Sequence, residues 1–380
     1  MNALLAVTAL HTAALGAFPK RDAATASFPH YPNREVYTLS GEWAFTFVNY
    51  TDFEANATSL PSSLPFSVKQ TVPSAWDSRW GTGLEYSRGA GFYKAQLTIP
   101  AGKPAALHFQ ACSIYCRIFV DGKEIANSTA GGFTPFWADV PAAATAERTL
   151  VVMASNVFDA VLTPTQAAYY DFYQYGGIIR EVTLHVLPAA GSWVHRVAVT
   201  PLADATTGKP SGEVDVTVAL RCASTAQDQP VIIGLCWDNA EGCTATHPHS
   251  SHSHTSSTGT VSLPGLAVPK WQAWSPADPK LHLLTVFVTT SPAAAAPIDS
   301  IAVRFGLRIV KAAGRHITIN AAPIKLHGFN RHDMYPQIGP SLTDTVYDAD
   351  LKVLQHVRTP FPSSPVHGHS LCLFSVSVWP

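Results

Sequence analysis

The sequence predicts a mainly β protein: two consecutive β-sandwiches followed by the beginning of an α/β domain. Short apolar runs with a period of two fill residues 40–188, and a second set fills residues 191–307. Helical spacing appears only after residue 309. The 29 prolines are scattered between the runs as turns, and 380 residues are enough for two to three domains.

The first predicted domain covers residues 28–188. GFYKAQLTIPAGKPAALHFQ, from residue 91, predicts two strands around a turn, and CRIFVDGKEIA predicts a hairpin across Asp121-Gly122. The runs ERTLVVMASNVF and IIREVTLHVLP add further strands. Many short strands at this spacing favour a jelly-roll β-sandwich.

The second predicted domain covers residues 189–308, and its length and strand count favour an Ig-like β-sandwich. It contains a His-rich stretch with His247, His249, His252 and His254. We interpret this stretch as a low-complexity surface loop between two strands and expect no metal there; a transition-metal site is the alternative.

Residues 309–362 change character. HITINAAPIKLHGFN predicts a hairpin that leads into a buried strand, and TDTVYDADLKVLQHV has helical spacing. Strand, polar loop and helix together form the opening of an α/β domain. Residues 363–380 show no periodicity and are left as an unmatched tail.

Residues 1–17 are predicted to be a signal peptide. Their apolar run is too short to span a membrane, and Ala14 and Gly16 offer a small-x-small cleavage site. An apolar helix kept in the mature chain is the alternative. The sequons at Asn49, Asn56 and Asn127 predict N-glycosylation and support the secretory route, to the outside or to a lysosome or vacuole.

The six cysteines do not form a dense framework. Cys236 and Cys243 bracket a short loop that a disulfide could close in an oxidising compartment. Cys112 and Cys116 lie four residues apart in one predicted strand, about 13 Å apart at strand rise, so we expect free buried thiols there.

The net charge of −1 and the lack of a basic run argue against nucleic acid or an anionic membrane as the main partner. No CxxC metal or redox motif occurs, and we expect neither a metal nor a cofactor.

Two clusters of residues could carry chemistry. In YYDFYQYGGIIREV, from residue 169, Asp171 lies among tyrosine and phenylalanine rings, a combination suited to gripping a sugar ring. The alternative is a connecting loop whose aromatics fill a domain interface. In HGFNRHDMYP, residues Asn330, Arg331, His332 and Asp333 follow a predicted strand, where barrel enzymes place their active sites. The alternative is an Arg-Asp pair that caps the following loop.

The chain resembles glycoside hydrolase family 2, and within it the β-glucuronidases. The matching stretches occur in the family's order and spacing and cover roughly residues 35–360. They are SGEWAFTF from 40, VPSAWD from 72, GFYKAQLTIP from 91, FVDGKEIANSTAGGFTPFWADV from 119, DFYQYGGIIREVTLHVLP from 171, RFGLRIV from 304 and LHGFNRHDMYP from 326.

The resemblance implies a sugar-binding jelly roll of the galactose-binding type, an Ig-like domain and the truncated start of a catalytic (β/α)8 barrel. It implies that Asp171 holds substrate hydroxyls and that His332 lines the sugar subsite. Arg180, Asn330 and Arg331 match motif residues that support this site. The implied partners are a β-glucuronide or β-galactoside, a second copy of the chain, or a full-length homologue.

The chain also departs from the family. Retaining hydrolysis needs two carboxylates; in this family they are glutamates from later barrel strands, the first in an Asn-Glu dipeptide that does not occur here. HVRTPFPSSP keeps Arg358 and Thr359 of a second-strand motif but has Pro360-Phe361 in place of its His-Tyr pair. The family's Asn-Gly turn reads Asn320-Ala321-Ala322. We therefore expect a β-glucuronidase-type chain truncated before its catalytic glutamates and inactive by itself; the alternative is a secreted carbohydrate-binding or decoy protein.

Overall fold

The computed structural model describes residues 18, 28–49, 60–61, 63–78, 83–129, 131–158, 173–189, 192–222, 231–238, 244–249, 258–290, 296–328, 331–356 and 374–377. These residues divide into two compact units. The first unit comprises Phe18 and the described residues of Tyr37–His185 and Pro336–Ser341, and the second comprises those of residues 28–36, Val186–Tyr335 and Leu342 onward.

The first unit is a β-sandwich. Its strands are β1 (Glu35–Thr38), β2 (Gly41–Asn49), β3 (Val68–Val72), β4 (Gly89–Thr98), β5 (Ala105–Phe109), β6 (Tyr115–Val120), β7 (Lys123–Ser128), β8 (Phe136–Val140), β9 (Glu147–Ser155) and β10 (Val182–Val186). Among the described residues they form a six-stranded sheet in the order β3-β2-β4-β9-β6-β7 and a four-stranded sheet in the order β1-β10-β5-β8.

Both sheets contribute large apolar side chains to one core. Trp43 and Tyr93 come from the six-stranded sheet, and Leu107, Phe109 and Leu184 come from the four-stranded one. Burying a side chain of this size stabilises the fold by about 1.5–3 kcal/mol. The hairpin predicted at Asp121-Gly122 joins β6 to β7, and both turn residues have the positive φ that such a turn requires.

The prediction of free thiols at Cys112 and Cys116 is wrong, because the two residues form a disulfide. The prediction placed both in one strand, but β5 ends at Phe109 and β6 begins at Tyr115, so Cys112 lies in the connection. The chain bends there and brings the two Cα atoms to 6.2 Å, a separation that a disulfide spans.

The second unit contains a further sandwich. Its strands are β11 (Ser192–Ala203), β12 (Pro210–Cys222), β13 (Val231–Trp237), β14 (Thr244–His249), β15 (Thr258–Ala267), β16 (His282–Thr289) and β17 (Asp299–Phe305). Among the described residues they form the sheets β11-β12-β15 and β14-β13-β16-β17. Alternate residues of β12, such as Val214, Val216 and Val218, are fully buried in the core between them.

Residues 28–36 pack with this second unit. The backbone of His30 pairs with Ala302 of β17, and the guanidinium of Arg34 forms a two-pronged ion pair with buried Asp299 at 2.6 and 2.7 Å. Asp299 also accepts the N–H of Val194 at 2.7 Å, so one carboxylate joins three segments of the chain.

The remaining elements are β18 (Val310–Ala313), β19 (His316–Ile319), β20 (Ala322–Gly328), α1 (Asp344–His356) and β21 (Phe374–Ser377). The predicted hairpin is present between β19 and β20, and the predicted helix follows as α1. β20 pairs antiparallel with both β19 and β21. The predicted fold class, a mainly β chain built from sandwiches, is confirmed.

Candidate functional site

A buried carboxylate, Asp77, organises the loops at one edge of the first unit. Its side chain is 4% exposed. It accepts the Asn156 amide at 2.9 Å and the Gly176 backbone N–H at 3.1 Å, and it also hydrogen-bonds the Tyr173 hydroxyl. Burial raises the pKa of Asp77 to about 6, although these neutral donors pull it down. We call residues 74–78, 84–88, 156 and 173–178 the loop cluster.

Two glycines allow two parts of the loop cluster to lie side by side. The Trp76 N–H donates to the Gly176 carbonyl at 3.1 Å, and the Ser74 N–H donates to the Ile178 carbonyl at 2.8 Å. A Cβ on Gly176 would lie 2.1 Å from the Trp76 ring, and one on Gly177 would lie 2.5 Å from the Ser74 carbonyl. Residues 176–177 must therefore be glycine for this contact to form.

Asn156 and Arg88 tie the remaining parts of the loop cluster together. Fully buried Asn156 accepts the Gly89 N–H at 3.0 Å and donates to both Asp77 and the Ser87 carbonyl at 2.9 Å. The Arg88 guanidinium donates to the Gln174 carbonyl at 2.6 Å and lies 4.4 Å from the centre of the Tyr173 ring. Buried polar groups that are satisfied in this way hold a loop in one conformation.

Tyrosine rings form the outer side of the loop cluster. Tyr173 packs edge-on against Tyr175 at 4.9 Å and against Tyr86 at 5.5 Å between ring centres. Burial, followed by the nearby Asp77 charge, raises the pKa of Tyr173, so its hydroxyl keeps its proton and donates. Rings that lie beside fixed hydrogen-bonding groups are suited to binding small amphipathic ligands such as sugars.

Residues 336–341, which follow the HGFNRHDMYP stretch, also pack against the loop cluster. A Cβ on Gly339 would lie 3.1 Å from Ser78 and 3.2 Å from the Tyr175 ring, and Gly339 has a φ of +57°. This tight approach belongs to the first unit, whereas the residues up to Tyr335 belong to the second.

The structure leaves several predicted site residues outside the described residues, namely Asp171, Asn330, Asn56 and Cys243. Cys236 is disulfide-bonded, while its predicted pairing with Cys243 stays a prediction. Asn49 and Asn127 are exposed at the end of β2 and within β7, as glycosylation would require.

The side chains of Arg180 and Arg331, two predicted supporting residues, make the following contacts. Arg180 lies 5.7 Å from the Phe133 ring. Arg331 forms ion pairs with Asp333 and with Asp350 of α1, the latter through its Nε at 2.9 Å. Arg331 and Asp333 thus form the Arg-Asp pair that the sequence offered as the alternative to chemistry. His332, between them, is exposed.

Sequence reasoning missed Asp77, Arg88 and Asn156 as organisers of this edge. Asp77 lies in VPSAWD, a stretch that carries the family resemblance. A carboxylate directly after Trp76 in a predicted loop could have indicated a functional residue there.

Among the described residues, no group of three or more His, Cys, Asp or Glu side chains lies close enough to hold a metal ion. Within the same residues, no helix is both long and apolar enough to cross a membrane.

Known proteins share this fold and parts of this sequence. The sequence model of the family "Glycosyl hydrolases family 2" matches residues 194–308. A putative β-glucuronidase from Formosa agariphila is 23% identical over 343 residues, covering 87% of this chain and 38% of that protein. The β-glucuronidase of Canis lupus familiaris is 24% identical over 343 residues, covering 80% of this chain and 49% of that protein.

A solved structure has the same fold. The crystal structure of a GH2 β-galacturonidase from Eisenbergiella tayi, bound to galacturonate, superposes with a TM-score of 0.69 at 24% identity, covering 87% of this chain and 53% of that one. The fold is thus that of β-sandwich domains found in glycosidases. The chain is related to glycoside hydrolase family 2, as its motifs predicted, and it spans about half or less of the length of these relatives.

Proposed function

We propose that this chain supplies the carbohydrate-binding part of a β-glucuronidase-like glycoside hydrolase, with Asp171 taking the hydroxyls of a hexuronide. The observation that carries the proposal is the buried network around Asp77. It fixes Tyr173 and Gly176, which follow Asp171 by two and five residues. A rigid support for the neighbouring segment is what a binding loop needs in order to present a carboxylate accurately.

The ligand class follows from the family relation. The relatives are named as β-glucuronidases, and the solved structure was bound to galacturonate. We propose a β-glucuronide as the preferred ligand and a β-galactoside as the second candidate. Tyrosine rings that surround the segment after Asp171 suit the apolar face of a pyranose.

We propose His332 as a separate ligand contact, within the second unit. His332 is exposed, and its two neighbours, Arg331 and Asp333, form an ion pair with each other. Arg331 is tied further to Asp350 of α1, which restricts the segment that carries His332.

We propose further that the polypeptide of residues 1–380 does not hydrolyse glycosides. A retaining glycosidase needs a carboxylate acid/base and a carboxylate nucleophile about 5–5.5 Å apart. The sequence lacks the Asn-Glu dipeptide in which the family places the first of them. Purified polypeptide incubated with p-nitrophenyl β-D-glucuronide should release no nitrophenol, and turnover at the rate of a family enzyme would refute this part of the proposal.

We propose a secretory location as well. The Cys112–Cys116 disulfide supports it because disulfides persist in oxidising compartments. The exposed sequon at Asn127 supports it too. Mass spectrometry of the protein from its native host tests it: we expect a glycan at Asn127 that treatment with an N-glycosidase removes.

Titration calorimetry tests the binding proposal. Methyl β-D-glucuronide and methyl β-D-galactoside are titrated into the full chain, into Asp171→Ala and into His332→Ala, with Asp139→Ala, an exposed residue of β8, as the matched control. We expect saturable binding at millimolar ligand that Asp171→Ala abolishes, His332→Ala weakens and Asp139→Ala retains. No saturation by the unsubstituted chain would refute the proposal.

A further inference from the structure

Tyr86 exposes its ring to an unusual degree. Its side chain is 70% exposed, more than any other large apolar or aromatic side chain among the described residues. Burying the face of a tyrosine ring lowers the free energy. Because the ring of Tyr86 is mostly exposed, it obtains little of this stabilisation.

The exposed ring is nevertheless held in place. Tyr173 contacts it edge-on, at 5.5 Å between ring centres and an interplanar angle of 86°. Tyr173 is fixed in turn by the Asp77 carboxylate and by the Arg88 guanidinium over its face. The position of Tyr86 therefore depends on the same buried network that fixes residues 173–176.

The backbone at Tyr86 is also constrained. Its φ is +61°, in the left-handed region that a residue with a Cβ adopts at a cost of about 1 kcal/mol. The turn is closed by the Ser87 N–H donating to the Leu84 carbonyl at 3.0 Å, and the Ser87 carbonyl is held by Asn156 at 2.9 Å. Strained backbone that the surroundings maintain is concentrated at ligand-binding sites.

We propose that Tyr86 is a stacking platform for a pyranose ring, in which the apolar C–H face of the sugar covers the exposed tyrosine ring. The platform lies in the loop cluster whose segment 173–178 follows Asp171. This inference rests on the proposed carbohydrate binding and adds to it a specific surface for the sugar face, distinct from the carboxylate that takes the hydroxyls. A fixed aromatic ring loses little conformational entropy on binding, which favours a small ligand.

Substitution at residue 86 tests the platform. Tyr86→Ala, Tyr86→Phe and a control, Val68→Ala on β3, are titrated with methyl β-D-glucuronide by calorimetry alongside the unsubstituted chain. Val68 is a suitable control because it is also an exposed apolar side chain, at 55%. We expect Tyr86→Ala to weaken binding about 3- to 10-fold, as loss of one aromatic contact does. Tyr86→Phe keeps the ring face and should stay within about 2-fold, and Val68→Ala should bind as the unsubstituted chain does.

The possible failures are distinguishable. Saturable binding that Tyr86→Ala leaves unchanged would overturn the platform and leave the proposed function standing. Absence of saturation by the unsubstituted chain would overturn both. Sedimentation velocity covers the remaining case: if Tyr86→Ala dissociates a dimer of the unsubstituted chain without changing sugar affinity, the ring covers a second copy and the platform is wrong.

Discussion

Each of the two units buries an aspartate, and the two aspartates have different kinds of partner. In the second unit, Asp299 is fully buried and forms a two-pronged ion pair with Arg34, which is itself 8% exposed. In the first unit, Asp77 is 4% exposed, and its hydrogen-bond partners among the described residues are the neutral groups of Asn156, Gly176 and Tyr173. One buried acid is neutralised by a cation and the other is not.

We interpret this difference as one between a structural role for Asp299 and a supporting role for Asp77 in the proposed binding site. The Arg34–Asp299 pair joins residues 28–36 to β11 and β17. The ring of Tyr31 lies against the Arg34 guanidinium and is only partly exposed, so it helps to shield the pair from water. Asp77 has a raised pKa, and its network holds Tyr173, whose ring contacts Tyr175, in the segment that follows Asp171, and Tyr86, beside that segment. Buried acids with perturbed pKa values are concentrated at functional sites, whereas a matched ion pair serves to hold segments together.

The largest expected effect comes from breaking the ion pair in the second unit. Asp299→Ala leaves the Arg34 guanidinium buried without its carboxylate and should lower the free energy of unfolding by about 3–5 kcal/mol. Urea unfolding followed by tryptophan fluorescence measures it. The exposed pair of Lys69 and Glu42 is the matched control, and Glu42→Ala should change stability by less than about 1 kcal/mol. Equal effects of the two substitutions would remove the structural role assigned to Asp299.

The second effect is a pH dependence of stability that arises from Asp77 in the first unit. The pKa of Asp77 is about 6 in the folded chain, whereas an aspartate without such surroundings has a pKa of 3.8. Because the folded pKa is the higher one, Asp77 contributes stability that is fully present below pH about 4 and is lost as pH rises through about 6. Relative to Asp77→Asn, the unsubstituted chain should lose about 2–3 kcal/mol across this window.

Urea unfolding of both proteins at a series of pH values measures this difference, with Asp139→Asn as the control for an exposed carboxylate. Parallel stability curves for Asp77→Asn and the unsubstituted chain would show that Asp77 has an ordinary pKa. The contrast with Asp299 would then lose its electrostatic basis.

The third effect is the disulfide of the first unit. Replacing both Cys112 and Cys116 by serine frees a short loop and should cost about 2 kcal/mol, the loop-closure value for so few residues. Thermal unfolding with and without reductant measures it. Without reductant the double variant should have the lower midpoint, and reductant should remove the difference, because the disulfide of Cys236 is then reduced in both proteins. Equal midpoints without reductant would show that the Cys112–Cys116 bond does not stabilise the unit.

The smallest effect is at a turn of the second unit. Ala321 has a φ of +65° at the β19–β20 hairpin, where glycine is favoured. Ala321→Gly should stabilise the chain by about 1 kcal/mol because it removes the Cβ strain of a left-handed residue. Ala313→Gly on neighbouring β18, outside the turn, is the control and should destabilise instead. Destabilisation by Ala321→Gly would show that the turn carries no such strain.

Much of the fold could be predicted because its determinants are local. Period-two alternation in β12 places Val214, Val216 and Val218 in the core, and Asp121-Gly122 supplies the positive φ values of a hairpin. The Cys112–Cys116 disulfide could not be predicted because it depends on where β6 begins, and strand ends are poorly marked in sequence.

The candidate site was predicted only in part, for a related reason. The family motif pointed to the segment from residue 171, and its two glycines do pack closely as such a loop requires. Its organiser, Asp77, is 79 residues from Asn156 and 99 residues from Gly176, and no periodicity reveals contacts at that separation. His332 and Arg331 are adjacent in sequence, yet only the structure shows that Arg331 is committed to ion pairs.

Amide chemical shifts of the ¹⁵N-labelled full chain during titration with methyl β-D-glucuronide would show directly whether the loop cluster binds carbohydrate. We expect saturable shifts at the Gly176 N–H, which donates to Asp77, and at Ser87 beside Tyr86, while the Val194 N–H, which donates to Asp299, stays unchanged. Shifts at Val194 without shifts at Gly176, or no shifts at all at millimolar ligand, would contradict the claim that the loop cluster binds carbohydrate and that the buried ion pair only holds the fold together.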